Sequence, residues 1–219
     1  EEEKCQLLAG LGINVNLGPV CDIATDPSAF LYNRSLGQDA ETTAQVISSI
    51  VSLMNQEHIG SVLKHFPGYG NNADTHTGIA LDSRSLSELE ENDLLPFAAG
   101  IQAGCGAVMV GHVIVEAMDD SLPASLSPAV HDYLRATMGF TGVIMTDDLV
   151  MQAITDQYGA GEAAVMAVLA GNDLLCSTEY TTQYPAVLQA VLDGRISVDT
   201  LNAAVRHVLE WKQQVASYG

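Results

Sequence analysis

A repeated unit restricts the fold of this chain more than any other feature: a short apolar run, one or two polar residues directly after it, then a stretch of helical periodicity. The run at 12–20 (GINVNLGPV) is followed by Cys21-Asp22. The run at 61–63 leads into Lys64-His65-Phe66-Pro67-Gly68, that at 107–110 into Gly111-His112, and that at 142–145 into Thr146-Asp147-Asp148; 173–176 is the last. Between them, 41–58 carries Val46, Ile47, Ile50, Val51 and Met54 at the i, i+3, i+4 spacing of one helix face, closed by Gly60. Further helices are predicted over 86–103, whose first turn is rich in Glu, and over 128–138, 162–170, 184–192 and 198–215. Strands buried on both faces read as unbroken apolar runs, and their alternation with helices implies parallel pairing through right-handed crossovers. The chain is therefore α/β. An open doubly wound sheet would gather its reactive groups near one switch point. In a (β/α)8 barrel they come from the ends of several strands on one face, and here Asp22, Lys64-His65, His112 and Asp147-Asp148 follow strand after strand. The pattern predicts a TIM-barrel-type fold over 1–219, with about five of the eight strands present.

Composition narrows the function. A length of 219 residues suits a single domain, and 47% hydrophobic against 16% charged residues supplies a sizeable core. The net charge of -19, from 8 Lys+Arg and 27 Asp+Glu, argues against nucleic acid and anionic membranes as partners, because both demand a basic face. No apolar run approaches the roughly 20 residues of a membrane-spanning helix. The opening Glu1-Glu2-Glu3-Lys4 reads as helix rather than as a signal peptide. Cys5, Cys21, Cys105 and Cys176 lie far apart without ligand-like spacing and read as small buried hydrophobes.

Several groups can carry chemistry, and each has a plainer reading beside it. Asp147 and Asp148 sit where a strand passes into a loop. Neighbours on an extended chain point to opposite sides, so one carboxylate can face a pocket as nucleophile or base while the other is held by backbone amides. The plainer reading is a helix N-cap for the turn beginning near Leu149. Asp74-Thr75-His76 places a carboxylate and an imidazole two residues apart, on one face of an extended segment. Such a pair fixes the tautomer and makes His76 a proton shuttle near neutral pH; an exposed loop histidine beside an Asx-turn is the alternative. Lys64 stands at a position that would otherwise be core, so it needs a partner or a polar ligand, while Pro67, Gly68 and Gly70 permit a sharp turn with close backbone approach. Arg34, in the loop after the first run, is a donor for hydroxyls or carboxylates, or else a surface ion-pair partner. His65, His76 and Asp74 could also be drawn as metal ligands, but there is no H-x-H pair and no H-E-x-x-H helix. His58, His131 and His207 fall on predicted helices and read as solvated; Met145 and Met151 read as core or pocket wall.

Taken together these strings resemble glycoside hydrolase family 3, in its bacterial β-N-acetylglucosaminidase branch. KHFPGYG followed closely by DTH is the specific part; GINVNLGPVCDI, NRSLG, VMVGHVI and GFTGVIMTDDLVMQAI follow the family's order, from about Leu8 to Ser177. The resemblance implies a (β/α)8 barrel and retaining hydrolysis of a terminal β-linked N-acetylglucosamine, such as that of a cell-wall fragment, without metal or organic cofactor. By the same resemblance Asp147 is the nucleophile, His76 with Asp74 the acid/base dyad, and Arg34, Lys64 and His65 hold the sugar's hydroxyls. One carboxylate and one imidazole would then replace the usual two carboxylates. This chain departs from the family at three points. Tyr69 stands where a second histidine is usual, and one residue fewer separates Gly70 from Asp74. The acid-Gly-Gly segment and about three leading strands of the family have no counterpart in it, in keeping with the strand count. An N-terminally incomplete barrel is expected, its open edge and exposed interior favouring self-association. An inactive or assembly-dependent fragment, a metallohydrolase and a β-glucosidase-like enzyme of the same family are the competing readings.

Overall fold

The computed structural model describes residues 1–70, 78 and 80–216. In chain order the elements are α1 (Glu2–Gly10), β1 (Val15–Asn16), α2 (Ala40–Gln56), β2 (Gly60–Phe66), β3 (Leu81–Asp82), α3 (Leu86–Glu91), α4 (Leu94–Gln102), β4 (Ala107–Val110) and β5 (Ile114–Val115). They continue with α5 (Pro128–Asp132), β6 (Val143–Thr146), α6 (Gln152–Tyr158), α7 (Ala160–Ala170), α8 (Tyr180–Leu192) and α9 (Val198–Ala216). The sheet runs β1-β2-β4-β6, every pair parallel. The run at 173–176 extends it beyond β6 through a bridge between Met145 and Leu174. The five apolar runs thus take five successive places in one parallel sheet, with α2 to α5 packed on one face and α9 on the other, part of a TIM-barrel-like α/β fold.

Alternation along the strands divides the core in two. Leu63, Val108, Val110 and Ile144 point outward and pack with Ile47 and Val51 of α2, Leu89 of α3 and Phe97 of α4. Val62, Ala107, Met109, Val143 and Met145 point inward, where Trp211, Val208 and Val215 of α9 meet them. Burying each such side chain is worth about 1.5–3 kcal/mol. Helix α2 follows the expected stripe: Asp39 caps it by accepting the Thr42 amide at 2.7 Å, and Ala40, Thr43, Ile47, Val51 and Met54 are buried.

Among the elements that differ from expectation, three do so for a plain local reason. The helix predicted over 86–103 is two helices, opened by a reciprocal Ser85–Glu88 capping box and interrupted at Asn92. A continuous helix would drive the Pro96 ring into the Asn92 carbonyl four residues back, whereas at the third position of α4 that ring is tolerated. The stretch expected as a long loop up to residue 85 contains β3, which pairs in parallel with β5 in a ladder of its own. The first run makes only a two-residue strand, with a further bridge from Val20 to Lys64, because Pro19 has no amide to give the ladder. The cysteines are free, three of them buried and Cys176 partly so. Among the described residues no helix is long and apolar enough to cross a membrane.

Candidate functional site

The polar residues following the strands meet at one end of the sheet. Asp22, directly after the first run, is almost wholly buried. Its Oδ2 accepts the His65 amide at 3.1 Å and lies 2.8 Å from His65 Nδ1, and its Oδ1 accepts the Tyr69 amide at 3.0 Å. The carboxylate accepts only, so the imidazole carries its proton on Nδ1 toward Asp22, and Nε2 is turned toward Asp147. That nitrogen lies 4.0 Å from Oδ2 of Asp147, whose side chain keeps 20% exposure. The cluster joins the segment after the first run to the ends of β2 and β6.

The tandem aspartates divide as extended geometry suggests. Asp148 turns away: its Oδ1 accepts the amides of Val150 at 3.2 Å and Thr178 at 3.4 Å. Asp147 Oδ1 accepts the Asp148 amide at 2.8 Å, and its other oxygen is left facing His65. Neither residue caps α6, whose N-cap is Met151. Asp148 closes only the short turn before that helix.

Lys64, partly buried beside this pair, has its pKa lowered by burial first and by the neighbouring Arg34 guanidinium second, while Asp147 and Asp22 act to raise it. Arg34 stands at the end of a 3₁₀ turn (Tyr32–Arg34), its guanidinium 5.9 Å from the centroid of the Phe30 ring. One end of the sheet therefore holds two cations, one imidazole and one accessible carboxylate, an arrangement able to fix hydroxyls around an attacking oxygen. Lys64–His65 and Phe66–Pro67 are cis peptides.

The turn after β2 is set by close approach. Gly68 and Gly70 have φ of +116° and +54°, and added Cβ atoms would stand 2.8 Å from Asp93 Cβ and 2.5 Å from Arg84 Nη2. Arg84 is itself held by Asp82 at 2.6 Å and Asp93 at 2.5 Å. The backbone thus rests directly on an ion-paired guanidinium, as the Gly-rich string anticipates.

Of the residues singled out from the sequence, Arg34, Lys64, His65 and Asp147 are brought together. Asp74 and His76 lie outside the described residues. Asp22 and His112 stood out only as polar strand-end residues, although a lone carboxylate after an unbroken apolar run is the signal that a buried partner awaits it. His131 corrects an expectation: placed on a helix and read as solvated, it is 2% exposed, its Nδ1 donating to the Ser127 carbonyl at 2.8 Å. His207 pairs with Asp173 at 2.7 Å rather than standing alone. Met145 and Met151 are buried. Among the described residues no cluster of three or more His, Cys, Asp or Glu could hold a metal ion. A broad groove of about 1190 Å³ on the outer helix layer, lined by Asp39, Glu41, Gln45, Glu91 and Gln102 among others, contains none of Asp22, Arg34, Lys64, His65, His112 and Asp147.

Comparison with known proteins adds to this geometry. The family model of the glycosyl hydrolase family 3 N terminal domain matches residues 3–211. A beta-hexosaminidase of Stenotrophomonas maltophilia (strain K279a) is 36% identical over 212 residues, which span 90% of this chain and 62% of that protein. Beta-hexosaminidase LpqI of Mycobacterium tuberculosis (strain ATCC 25618 / H37Rv) is 33% identical over 214 residues, 92% of this chain and 55% of that protein. A solved glycoside hydrolase family 3 beta-N-acetylglucosaminidase from Paenibacillus sp. str. FPU-7 superposes with a TM-score of 0.94 at 36% identity, covering 100% of this chain and 43% of that one. The chain spans about half to three-fifths of the length of the curated relatives it matches.

Proposed function

The chain belongs to glycosyl hydrolase family 3, and from that premise we propose that it carries the catalytic barrel region of a retaining glycosidase that removes terminal β-linked N-acetylglucosamine. Asp147 is the nucleophile. Its Oδ2 attacks the anomeric carbon as the glycosidic C–O bond breaks, and His76 donates its proton to the departing oxygen. In the second half the now neutral His76 takes a proton from water, whose oxygen displaces Asp147 from the anomeric carbon, and two inversions leave the configuration retained. Asp74 orients the imidazole and stabilises its charged form. Arg34, Lys64 and His65 hold the sugar's hydroxyls.

The observation that carries this reading is the placement of Asp147: the partly exposed carboxylate of the β6 turn, 4.0 Å from a carboxylate-oriented imidazole and coupled to Lys64. The test is Asp147→Asn, assayed on an aryl N-acetyl-β-glucosaminide and on the matching glucoside without the 2-acetamido group. Turnover is expected to fall by about a thousandfold or more, with the acetamido substrate the preferred one; undiminished cleavage by the variant refutes the assignment.

A further inference from the structure

We propose that His112 is a positioning residue for the nucleophile: with Ser125 it holds the Asp148 carbonyl, and through the backbone of Asp148 it aims the carboxylate of Asp147. The inference rests on the reading of Asp147 as nucleophile. His112 follows β4 and is fully buried, as is Ser125. Its Nε2 lies 3.0 Å from the carbonyl oxygen of Asp148 and its Nδ1 2.7 Å from Ser125 Oγ. A carbonyl oxygen accepts only, so Nε2 carries the proton, Nδ1 is bare, and the Ser125 hydroxyl donates to it. Both partners of the ring are thus specified by one tautomer.

Ser125 is in turn fixed on both sides. Its amide donates to the Gly111 carbonyl at 3.0 Å, and its own carbonyl accepts Asn172 Nδ2 at 2.8 Å. Asn172 Nδ2 also donates to the Ala167 carbonyl of α7 at 2.8 Å. A line of hydrogen bonds therefore runs from the end of α7 through Ser125 and His112 to the β6 turn. At that turn one residue is gripped from three directions. The Asp148 carbonyl is held by His112, its carboxylate by the Val150 and Thr178 amides, and its own amide donates to Asp147 Oδ1 at 2.8 Å. With Oδ1 committed to that amide, Oδ2 is the oxygen turned toward His65 and free to attack. Burial lowers the pKa of His112, against the opposing pull of Asp147 and Asp148 and with a smaller contribution from His65, which keeps the ring in the neutral form this arrangement uses.

None of these contacts places His112 among the groups assigned to the sugar, so its loss should lower kcat and leave KM. A displacement of about 1 Å at a reacting atom costs roughly 10²-fold in rate. The experiment compares unmodified protein, His112→Leu, His112→Gln and Asp147→Asn on an aryl N-acetyl-β-glucosaminide. In parallel, ¹⁵N-histidine NMR of the unmodified protein reads the His112 tautomer. His112→Leu should lose about a hundredfold in kcat with KM within about threefold. His112→Gln, whose amide can still donate to the Asp148 carbonyl, should recover most of that loss, and the spectrum should show a proton on Nε2 and none on Nδ1. The proposal is overturned by a Leu variant that keeps kcat, by a loss shared equally with KM, by a Gln variant no better than Leu, or by a proton on Nδ1. The tautomer measurement needs no turnover and decides the case even where His112→Leu does not fold. An active Asp147→Asn would instead remove the nucleophile assignment and leave the tautomer result standing.

Discussion

Replacing Asp22 by Asn changes one atom of a buried carboxylate, and the structure sets what that change should cost. The two oxygens serve three N–H groups: His65 amide at 3.1 Å, His65 Nδ1 at 2.8 Å and Tyr69 amide at 3.0 Å. Asparagine offers one accepting oxygen and an NH2 group that can only donate. Oriented toward His65, its oxygen leaves the Tyr69 amide facing a donor; oriented toward Tyr69, it leaves the amide and ring of His65 so placed. A buried donor left unsatisfied costs about 1–3 kcal/mol, so one or two of them take about 1–6 kcal/mol from a total of roughly 5–15. With a urea slope of about 2 kcal/mol per molar, the unfolding midpoint should drop by about 0.5–3 M. The assay is urea denaturation followed by circular dichroism, with Asp26→Asn, at an exposed carboxylate, as a control expected to stay within about 0.5 kcal/mol. An Asp22→Asn midpoint within about 0.3 M of the parent would mean that the carboxylate does not join the first strand to the turn after β2, and the account of His65 orientation would fall with it.

Two further outcomes follow from the packing and the buried histidines. Burial lowers the pKa of both His112 and His131, so the unfolded chain takes up protons that the folded chain refuses. Stability is then full above the ordinary histidine pKa of about 6.5 and declines below it, by up to about 1.4 kcal/mol per pH unit for each ring, until the folded pKa is passed. Urea midpoints measured from pH 8 to pH 5 should show this fall, and His131→Asn should flatten part of it; midpoints constant across that range would contradict the burial assignment. At Gly106 an added Cβ would stand 2.0 Å from Trp211 Nε1 and 2.6 Å from its Cδ1. Gly106→Ala should therefore cost about 1–3 kcal/mol through overpacking, and Trp211→Ala in the same chain should render the Ala nearly neutral, a coupling that a double-mutant cycle measures directly.

The sequence carried the outline of the fold because five apolar runs needed two buried faces, and no arrangement other than a parallel sheet under helices gives each of them both. It carried less where a contact between distant segments decides the outcome. The break at Asn92 turns on Pro96 and on a buried Asp93 drawn to Arg84, and β3 exists only because Ile114 and Val115 are there to pair with it. The site divides in the same way. Lys64, His65 and Asp147 could be picked out because charge or imidazole stands where an apolar run ends, and Arg34 because it is one of few cations, in the loop after the first run. The partners that fix them, Asp22, Ser125 and Asn172, are ordinary in composition and gain meaning only once strands far apart in sequence are neighbours. His131 was misread because an amphipathic stretch does not reveal which of its polar residues folds back onto its own first turn.

The position of α9 has an optical consequence. Trp211 is the chain's single tryptophan, and it lies over Gly60 and Gly106, where β2 and β4 begin, while Asp147 lies where β6 ends. Roughly 15 Å of parallel strand separates the indole from the carboxylate. Emission excited at the red edge of the absorption band will accordingly report the docking of the last helix, and on the proposed reading a glycoside bound beside Asp147 would leave it unchanged, so a change in that signal upon adding a glycoside would be a message passed along the whole length of the sheet.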